Sequence, residues 1–178
     1  SENAGAVMAD AYSRVSGRVA VVTGQNAPAA TLLVAGLAEA LNASIPMVAM
    51  VQEVPRSDAD RNAFQELDQL ELFKGSCKWL KRVEDITRID DYVDMAFTAA
   101  ASGRPGPAVL LCPRDMIDLS SVPRSDRALS LGEYLLDRPV AETARIEEAA
   151  ALLAGAERSL VYAGGGVHLS RATAELAD

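Results

Sequence analysis

The residues of this sequence that are best suited to chemistry lie in two segments, 24–30 and 52–65. The first is a turn of small residues with one proline, and the second is polar and irregular. The second segment holds Phe64 and Gln65, and a Gln amide can donate a hydrogen bond to a substrate carbonyl or carboxylate. The same pair can also be an apolar anchor beside a solvated neighbour. The choice between these interpretations depends on the elements that position the two segments.

A βαβ unit over residues 18–56 is predicted to position both segments. Residues 19–22 and 47–51 are fully apolar runs, typical of strands that are buried on both faces. Between them, residues 31–41 repeat apolar side chains with a helical period, and Glu39 is the only charge there. Crossovers of this kind build parallel sheets, which bind ligands at the carboxyl ends of their strands. We therefore expect both segments to lie at that edge of one sheet.

A helix is predicted over residues 3–16, with Gly17 as the residue that ends it. Its apolar stripe is expected to pack inward, and its polar positions are expected to face solvent. The stripe consists of Ala4, Met8, Ala11 and Val15, and the polar positions are Asp10, Ser13 and Arg14. Farther along, the pattern predicts a strand around Trp79, a helix over residues 85–102 capped by Asp85, and a strand over residues 108–112 that ends at Pro113.

Two α/β domains are predicted, over residues 1–118 and 141–178, with residues 119–140 as the linker between them. In the second domain, the pattern predicts a helix over residues 143–154, a strand over residues 159–163 and a further helix that begins near Ser170. The inward residues of the helix at 143–154 are expected to be Ile146, Ala149, Ala150 and Leu153.

A glycine run, Gly164–Gly166, follows the strand predicted at 159–163 and suggests nucleotide binding. The dinucleotide fingerprint requires another glycine three residues after Gly166, and Leu169 takes that position. His168, the single histidine, has no nucleophile motif beside it and is expected to be an exposed turn residue. The run is therefore a weak argument for a nucleotide site.

The composition of the chain argues against several classes of protein. Its 17 basic residues are scattered among 25 acidic ones, so nucleic-acid binding, which requires clustered basic side chains, is not expected. Cys77 and Cys112 match no metal-binding spacing and are interpreted as reduced thiols. No apolar run approaches the ~20 residues that span a membrane, and no signal peptide is visible, so we expect a cytoplasmic location. A first residue other than Met suggests a fragment.

Six motifs occur in the order, and nearly at the spacing, of the acetolactate synthase-like thiamine diphosphate enzymes, which this chain resembles from Glu2 to about Asp115. They are residues 18–51, Val54–Arg56, Ala63–Glu66, Val83–Ile86, Ser102–Pro107 and Cys112–Asp115. A further motif, Leu160–Gly166, resembles the opening of the central domain in that family.

The resemblance implies an architecture of three α/β domains. Residues 1–118 are similar to the pyrimidine-binding domain, a flavodoxin-like parallel sheet between two helical layers, without its first strands. Residues 141–178 resemble the beginning of a Rossmann-like central domain. The first ~50 family residues are expected to lie outside this sequence. The same holds for the pyrophosphate-binding domain with its magnesium signature.

The resemblance also implies roles for individual residues. Glu2 takes the place of the carboxylate that exchanges a proton with the pyrimidine ring nitrogen, although a Glu at a helix start can also simply favour the helix dipole. The other implied cofactor-binding residues are Gln25, Ala27, Pro28 and Ala29. The implied substrate-channel residues are Phe64, Gln65 and Lys78, with Gln65 catalytic beside Glu2. Lys78 can alternatively be a solvated lysine at a strand edge.

Four positions depart from the family pattern. Ala27 and Ala29 replace glycines, which permit positive φ and close backbone approach. Leu32 replaces an Asn, and Glu53 replaces a Gln. These departures favour a non-catalytic interaction or assembly subunit of the same fold, whereas the presence of Glu2 and Gln65 favours an enzyme.

The function implied by the resemblance is that of a thiamine diphosphate-dependent carboligase, decarboxylase or lyase that acts on 2-oxo acids. Magnesium would be bound by the absent carboxyl-terminal domain, and some members of the family also bind FAD. A homodimer or homotetramer with its active site between subunits is implied. The chain by itself is expected to show no turnover. A nucleotide-binding module that uses Gly164–Gly166 is the third alternative.

Overall fold

The computed structural model describes residues 1–117, 137 and 139–178. The chain divides into two units, Ser1–Leu136 and Asp137–Asp178, each with its own internal contacts. The predicted linker over residues 119–140 lies almost entirely outside the described residues.

A four-stranded, fully parallel sheet is the centre of the first unit. Its strands are β1 (Ala20–Gly24), β2 (Met47–Glu53), β3 (Trp79–Arg82) and β4 (Pro107–Pro113), in the spatial order β1-β2-β4-β3. The register pairs Ala20 with Met47, Met47 with Pro107, and Trp79 with Ala108. The predicted parallel α/β class is therefore confirmed for this unit.

Helices cover both faces of this sheet. They are α1 (Glu2–Ser16), α2 (Asn26–Ala43), α3 (Gln69–Phe73), α4 (Ile89–Ala101) and α5 (Arg114–Ile117). One core cluster, around Leu33, Val51 and Leu111, includes residues of α1, α2 and α3. A second cluster, around Tyr92 and Leu110, includes residues of α4 and α5. The result is three layers, and both faces of the central strands are buried, which explains their uninterrupted apolar runs.

Helix α1 ends as its sequence predicts, but it buries a different face. Gly17 adopts a left-handed conformation with φ of 67°, which suits glycine at a helix C-terminus. The buried residues are Ala6, Ala9, Asp10 and Ser13, whereas the predicted stripe is exposed, with 89% exposure at Val15. The inward orientation predicted for Ala4, Met8, Ala11 and Val15, and the outward one for Asp10 and Ser13, are therefore wrong.

Close packing and satisfied polar groups explain this choice of face. Ala6 lies so close to Gly36 of α2 that a side-chain carbon on Gly36 would come within 2.5 Å of the Ala6 Cβ. The Ser13 hydroxyl donates to the Pro46 carbonyl at 2.8 Å and accepts from the Ala20 N–H at 3.0 Å. Small residues thus bring the backbones together, and the hydrogen bonds of Ser13 compensate for the burial of its hydroxyl.

Helix α2 begins at Asn26, five residues before the predicted start, so Ala27–Ala29 form its first turn instead of a loop. Pro28 is compatible with this position because the first N–H groups of a helix have no partner within it. The predicted helix at 85–102 is divided into a short 3-10 helix, Ile86–Arg88, which Asp85 caps, followed by α4.

The second unit contains α6 (Thr143–Ala154), α7 (Gly165–Leu169) and α8 (Thr173–Ala177). The bounds of α6 are those predicted, but its supposed inward residues, Ile146, Ala149, Ala150 and Leu153, are all exposed. The predicted strand at 159–163 is not formed, because among the described residues of this unit there is no strand for it to pair with. Gly165 and Gly166 open α7, so a helix begins well before Ser170.

Candidate active site

The start of α1 lies at the carboxyl edge of the sheet. The helix runs back along β1, because it ends at Ser16 and β1 begins only four residues later, at Ala20. A side-chain carbon on Gly5 would lie 3.6 Å from Cγ2 of Val22, the middle residue of β1. Glu2, nearly one turn earlier, is therefore placed toward the carboxyl end of that strand and is partly exposed.

The first turn of α2 lies at the same edge, directly after β1. Gln25 is its N-cap residue with an exposed side chain, and it forms no side-chain capping hydrogen bond. The backbone N–H of Ala27 donates to the carbonyl of Gln65 at 3.3 Å. This hydrogen bond joins the two segments that the sequence singles out, 24–30 and 52–65.

Ala27 and Ala29, where the resemblance predicts glycines, adopt ordinary backbone conformations. Among the described non-glycine residues with positive φ are Asn26 and Gln65, but neither Ala27 nor Ala29. The helical first turn accommodates alanine without strain, since alanine is the best helix former. The replacements therefore do not by themselves distort this part of the site.

The loop after β2 presents Phe64 and Gln65 near the start of α2. Phe64 is 84% exposed, and Gln65 is partly buried with φ of 60°. A phenyl ring with so little cover contributes nothing to the core of this unit. The predicted role of Phe64 as a simple hydrophobic anchor within the unit is thus not what the structure shows.

A charged cavity of about 380 Å³ lies below this loop, at the ends of β2, β3 and β4. The charged members of its lining are Glu53, Arg56, Asp60, Glu66, Asp68, Arg82 and Glu84. Glu53 is buried and accepts two hydrogen bonds from Arg82. Burial and the nearby Glu53 carboxylate together raise the pKa of the Cys112 thiol to about 11, so this cysteine is protonated and unreactive.

A second ion pair holds the base of the loop. The Asp115 carboxylate accepts from the backbone N–H of Arg56 at 3.0 Å and from its Nε at 2.8 Å. Partial burial raises the pKa of Asp115, but these bonds to Arg56 outweigh it and leave the pKa below its ordinary value. The Val-Pro-Arg motif is thereby fastened to the start of α5, directly after β4.

Lys78 lies at the opposite, amino-terminal edge of the sheet. Its backbone N–H donates to the carbonyl of Pro107, the first residue of β4. Its Nζ donates to the carbonyls of Ser102 and Arg104, at 2.9 and 2.8 Å. The structure therefore does not bring Lys78 together with Phe64 and Gln65.

Several residues at the carboxyl edge did not emerge from the sequence as site residues. Arg82 and Asp115 end or follow strands at that edge, and their charges could have been matched with Glu53 and Arg56 once the strand order was known. Glu66 and Asn26 carry no such signal, because their importance depends on the shape of the loop and of the helix start. The Oδ1 atom of Asn26 is buried and has no hydrogen-bond partner among the described residues.

The residues at this edge fit the pyrimidine half of thiamine diphosphate. A protein that binds a neutral aminopyrimidine ring requires an apolar surface against the face of the ring and hydrogen-bonding groups at its edge. Ala27 and Pro28 offer the surface, whereas Ala29 is buried behind it. Asn26 has a buried oxygen without a partner, and Glu2 has a carboxylate at the same edge. Within the described residues there is no group of three or more His, Cys, Asp or Glu side chains that could hold a metal ion.

Comparison with a family model defines the class of protein. Residues 1–72 match the family described as thiamine pyrophosphate enzyme, N-terminal TPP binding domain. The match covers α1, both strands and the helix of the βαβ unit, and the loop that carries Phe64 and Gln65. Residues 1–72 are thus similar to the N-terminal cofactor-binding domain of thiamine diphosphate enzymes.

Individual relatives narrow this class. The chain is 37% identical to the probable acetolactate synthase large subunit of Methanococcus aeolicus over 98% of its length, and 40% identical to acetolactate synthase 2, chloroplastic, of Zea mays over 93%. It is 37% identical to the acetolactate synthase large subunit of Parasynechococcus marenigrum, again over 93%. The chain spans 30%, 26% and 27% of these relatives' lengths. The similarity to acetolactate synthases that its motifs predict is therefore confirmed.

No helix of the described residues combines the length and the apolar character that crossing a bilayer requires.

Proposed function

We propose that the protein containing this chain is a thiamine diphosphate-dependent carboligase, decarboxylase or lyase that acts on 2-oxo acids. In this proposal the chain supplies the pyrimidine side of the cofactor site. The observation that supports it most directly is the hydrogen bond from the Ala27 N–H to the Gln65 carbonyl. It connects the helix start that would face the cofactor with the loop that would face the substrate.

Each residue at the edge has a distinct task in this proposal. The Glu2 carboxylate holds and returns a proton at the pyrimidine ring nitrogen. General acid–base catalysis of this kind requires the carboxylate and the nitrogen to be within hydrogen-bond distance of each other. Ala27 and Pro28 pack against the ring, the buried Ala29 completes their helical turn, and Gln25 borders the ring. Thiamine diphosphate, when bound, supplies the carbon nucleophile that attacks a 2-oxo acid.

The loop residues act on the substrate side. The Gln65 side-chain amide donates a hydrogen bond to the substrate carboxylate or carbonyl and so fixes its orientation. Phe64, largely exposed in this unit, covers the reacting centre and excludes water. We assign Lys78 no role in the channel, because its ammonium group is engaged at the opposite edge of the sheet.

The remainder of the assembly follows from the same proposal. Magnesium and the cofactor diphosphate would bind to a carboxyl-terminal domain outside this chain, from a second subunit of a homodimer or homotetramer. FAD, if present, would bind to the central domain that begins in the second unit. The location would be cytoplasmic, and the chain by itself would show no turnover because the diphosphate and magnesium would be held by that other domain.

The decisive experiment replaces Glu2 in the full-length protein. Glu2→Gln keeps the size of the side chain but removes its ability to exchange a proton, so turnover of a 2-oxo acid should fall by about 10²-fold or more. Glu39→Gln is the matched control, because Glu39 lies on the exposed side of α2 and pairs with Arg14. Binding of thiamine diphosphate with magnesium, measured by titration calorimetry, should be nearly equal in both variants. Undiminished turnover in Glu2→Gln would refute the proposal.

The alternative of a non-catalytic assembly subunit has lost one of its supports. It drew on the alanines at 27 and 29, which stand without backbone strain in the first turn of α2. Leu32 and Glu53 still depart from the family pattern. The Glu2→Gln experiment distinguishes the two functions, since an assembly subunit has no turnover to lose.

A further inference from the structure

Glu66 organises the loop that carries Phe64 and Gln65. One carboxylate oxygen accepts the backbone N–H of Asp60 at 2.6 Å, and the other accepts the N–H of Ala63 at 2.8 Å. The N–H of Glu66 itself donates to the carbonyl of Ala63 at 3.0 Å. A single side chain therefore closes residues 60–66 into a ring of hydrogen bonds. Hydrogen bonds to an ionised acceptor are among the stronger ones in proteins.

The backbone of this loop needs such support. Asp60, Asn62 and Gln65 have φ of 62°, 54° and 60°, values that non-glycine residues adopt only at an energetic cost. The loop also lacks an apolar interior of its own, since its one large apolar side chain, Phe64, points into solvent. The Glu66 carboxylate is thus the feature that offsets the strain. The N–H groups of Ala63 and Asp60 also hold the pKa of Glu66 below its ordinary value.

The loop is attached to the rest of the unit at two places, one before this ring and one near its end. Before it, Arg56 is fastened to Asp115 by two hydrogen bonds. After the strained residue Asn62, the Gln65 carbonyl accepts from Ala27 at the start of α2. Residues 60–64 have no comparable bond to another element among those described, so their conformation depends on Glu66.

We propose that Glu66 is a positioning residue, whose carboxylate holds the loop so that Gln65 faces the substrate. The role of Gln65 rests on the proposed function, whereas the effect of Glu66 on the loop does not. Glu66→Gln is the informative substitution, because Gln offers one acceptor oxygen and turns an NH₂ donor toward a backbone donor. Glu66 is at the surface of the unit, so the variant is expected to fold.

Limited proteolysis tests the effect on the loop. Arg61 is exposed between the two residues whose N–H groups Glu66 accepts, so trypsin can cleave after it only when the loop opens. In the full-length protein, Glu66→Gln should accelerate this cleavage by about tenfold or more. Glu71→Gln should leave it unchanged, because that carboxylate lies on α3 and pairs with Lys74. Equal cleavage in the wild type and Glu66→Gln would overturn the proposal.

A double-mutant cycle with Gln65 tests the effect on the substrate. If Glu66 acts through Gln65, Glu66→Gln should lower kcat/KM for the 2-oxo acid in the wild-type background and have little further effect in Gln65→Ala. If Glu66→Gln lowers kcat/KM by the same factor in both backgrounds, the positioning role is overturned. Wild-type protein without any thiamine-dependent turnover would refute the proposed function instead, and the proteolysis result would still decide whether Glu66 holds the loop.

Discussion

The Glu53 carboxylate and the Arg82 guanidinium form a two-point ion pair across the carboxyl end of β4. Nε and Nη2 of Arg82 donate to the two carboxylate oxygens, at 2.5 and 2.8 Å. Glu53 ends β2 beside Pro113, and Arg82 ends β3 beside Leu111, so the pair connects two strands that do not touch. The buried Glu53 carboxylate is thereby compensated by a charge from another strand.

Removing the cation of this pair should be costly. Arg82→Met leaves the Glu53 carboxylate buried without its partner, and because the Arg82 side chain is itself 33% exposed we expect a loss of about 2–3 kcal/mol in the free energy of unfolding. The double variant Glu53→Gln with Arg82→Met should recover part of this loss, since no buried charge then remains. Urea denaturation measures both. An Arg82→Met variant as stable as the wild type would show that the ion pair contributes nothing to the free energy of unfolding.

Two helical glycines should respond to the same substitution in opposite directions. Gly36→Ala brings a methyl group within 2.5 Å of the Ala6 Cβ, so α1 and α2 must separate, and we expect a loss of about 1–3 kcal/mol. Gly5→Ala meets only Val22, at an ordinary 3.6 Å, and should raise stability by up to about 1 kcal/mol. Thermal unfolding of the two variants provides the comparison. Equal effects would contradict the close packing of the helices.

The buried hydroxyl of Ser13 should matter far more than the exposed one of Ser16. Ser13→Ala deprives both the Pro46 carbonyl and the Ala20 N–H of a buried hydrogen-bond partner, with an expected loss of about 2–3 kcal/mol. Ser16 bonds to Tyr12 and Arg18 at the surface, and Ser16→Ala should cost less than about 0.5 kcal/mol. Chemical denaturation distinguishes them, and a neutral Ser13→Ala would argue that α1 buries its predicted stripe after all.

Acid should weaken the contact between Arg56 and Asp115. The pKa of Asp115 is lower in the folded chain than its ordinary value, so its contribution to stability is complete above that ordinary value and is lost as the pH falls through the folded pKa. The stability difference between the wild type and Asp115→Asn should therefore be largest near neutral pH and shrink below about pH 4. Unfolding curves across this range measure it. A constant difference would mean that the carboxylate is not stabilised by Arg56.

Much of the fold was accessible from the sequence because the relevant signals are local. Apolar runs marked β1, β2 and β4, and the helical period between the first two predicted a parallel βαβ crossover. Gly17 was recognised as a helix end from its residue type, and α6 from its period and terminal glycine. The family motifs likewise depend on residue order alone. Each of these features depends on a short stretch of the sequence and not on the elements that pack against it.

The tertiary structure decided what packs against what. The period of α1 offers two possible faces, and the fit of Ala6 against Gly36 and the hydrogen bonds of Ser13 select the less apolar one. The strand predicted at 159–163 has the right residues but no partner among those described. The bond from Ala27 to Gln65 and the bonds that Glu66 accepts arise from folded loops and helix ends. A local pattern of apolar and polar residues cannot predict which residues such contacts join. Burial and hydrogen bonding depend on neighbours that come together only in the folded chain.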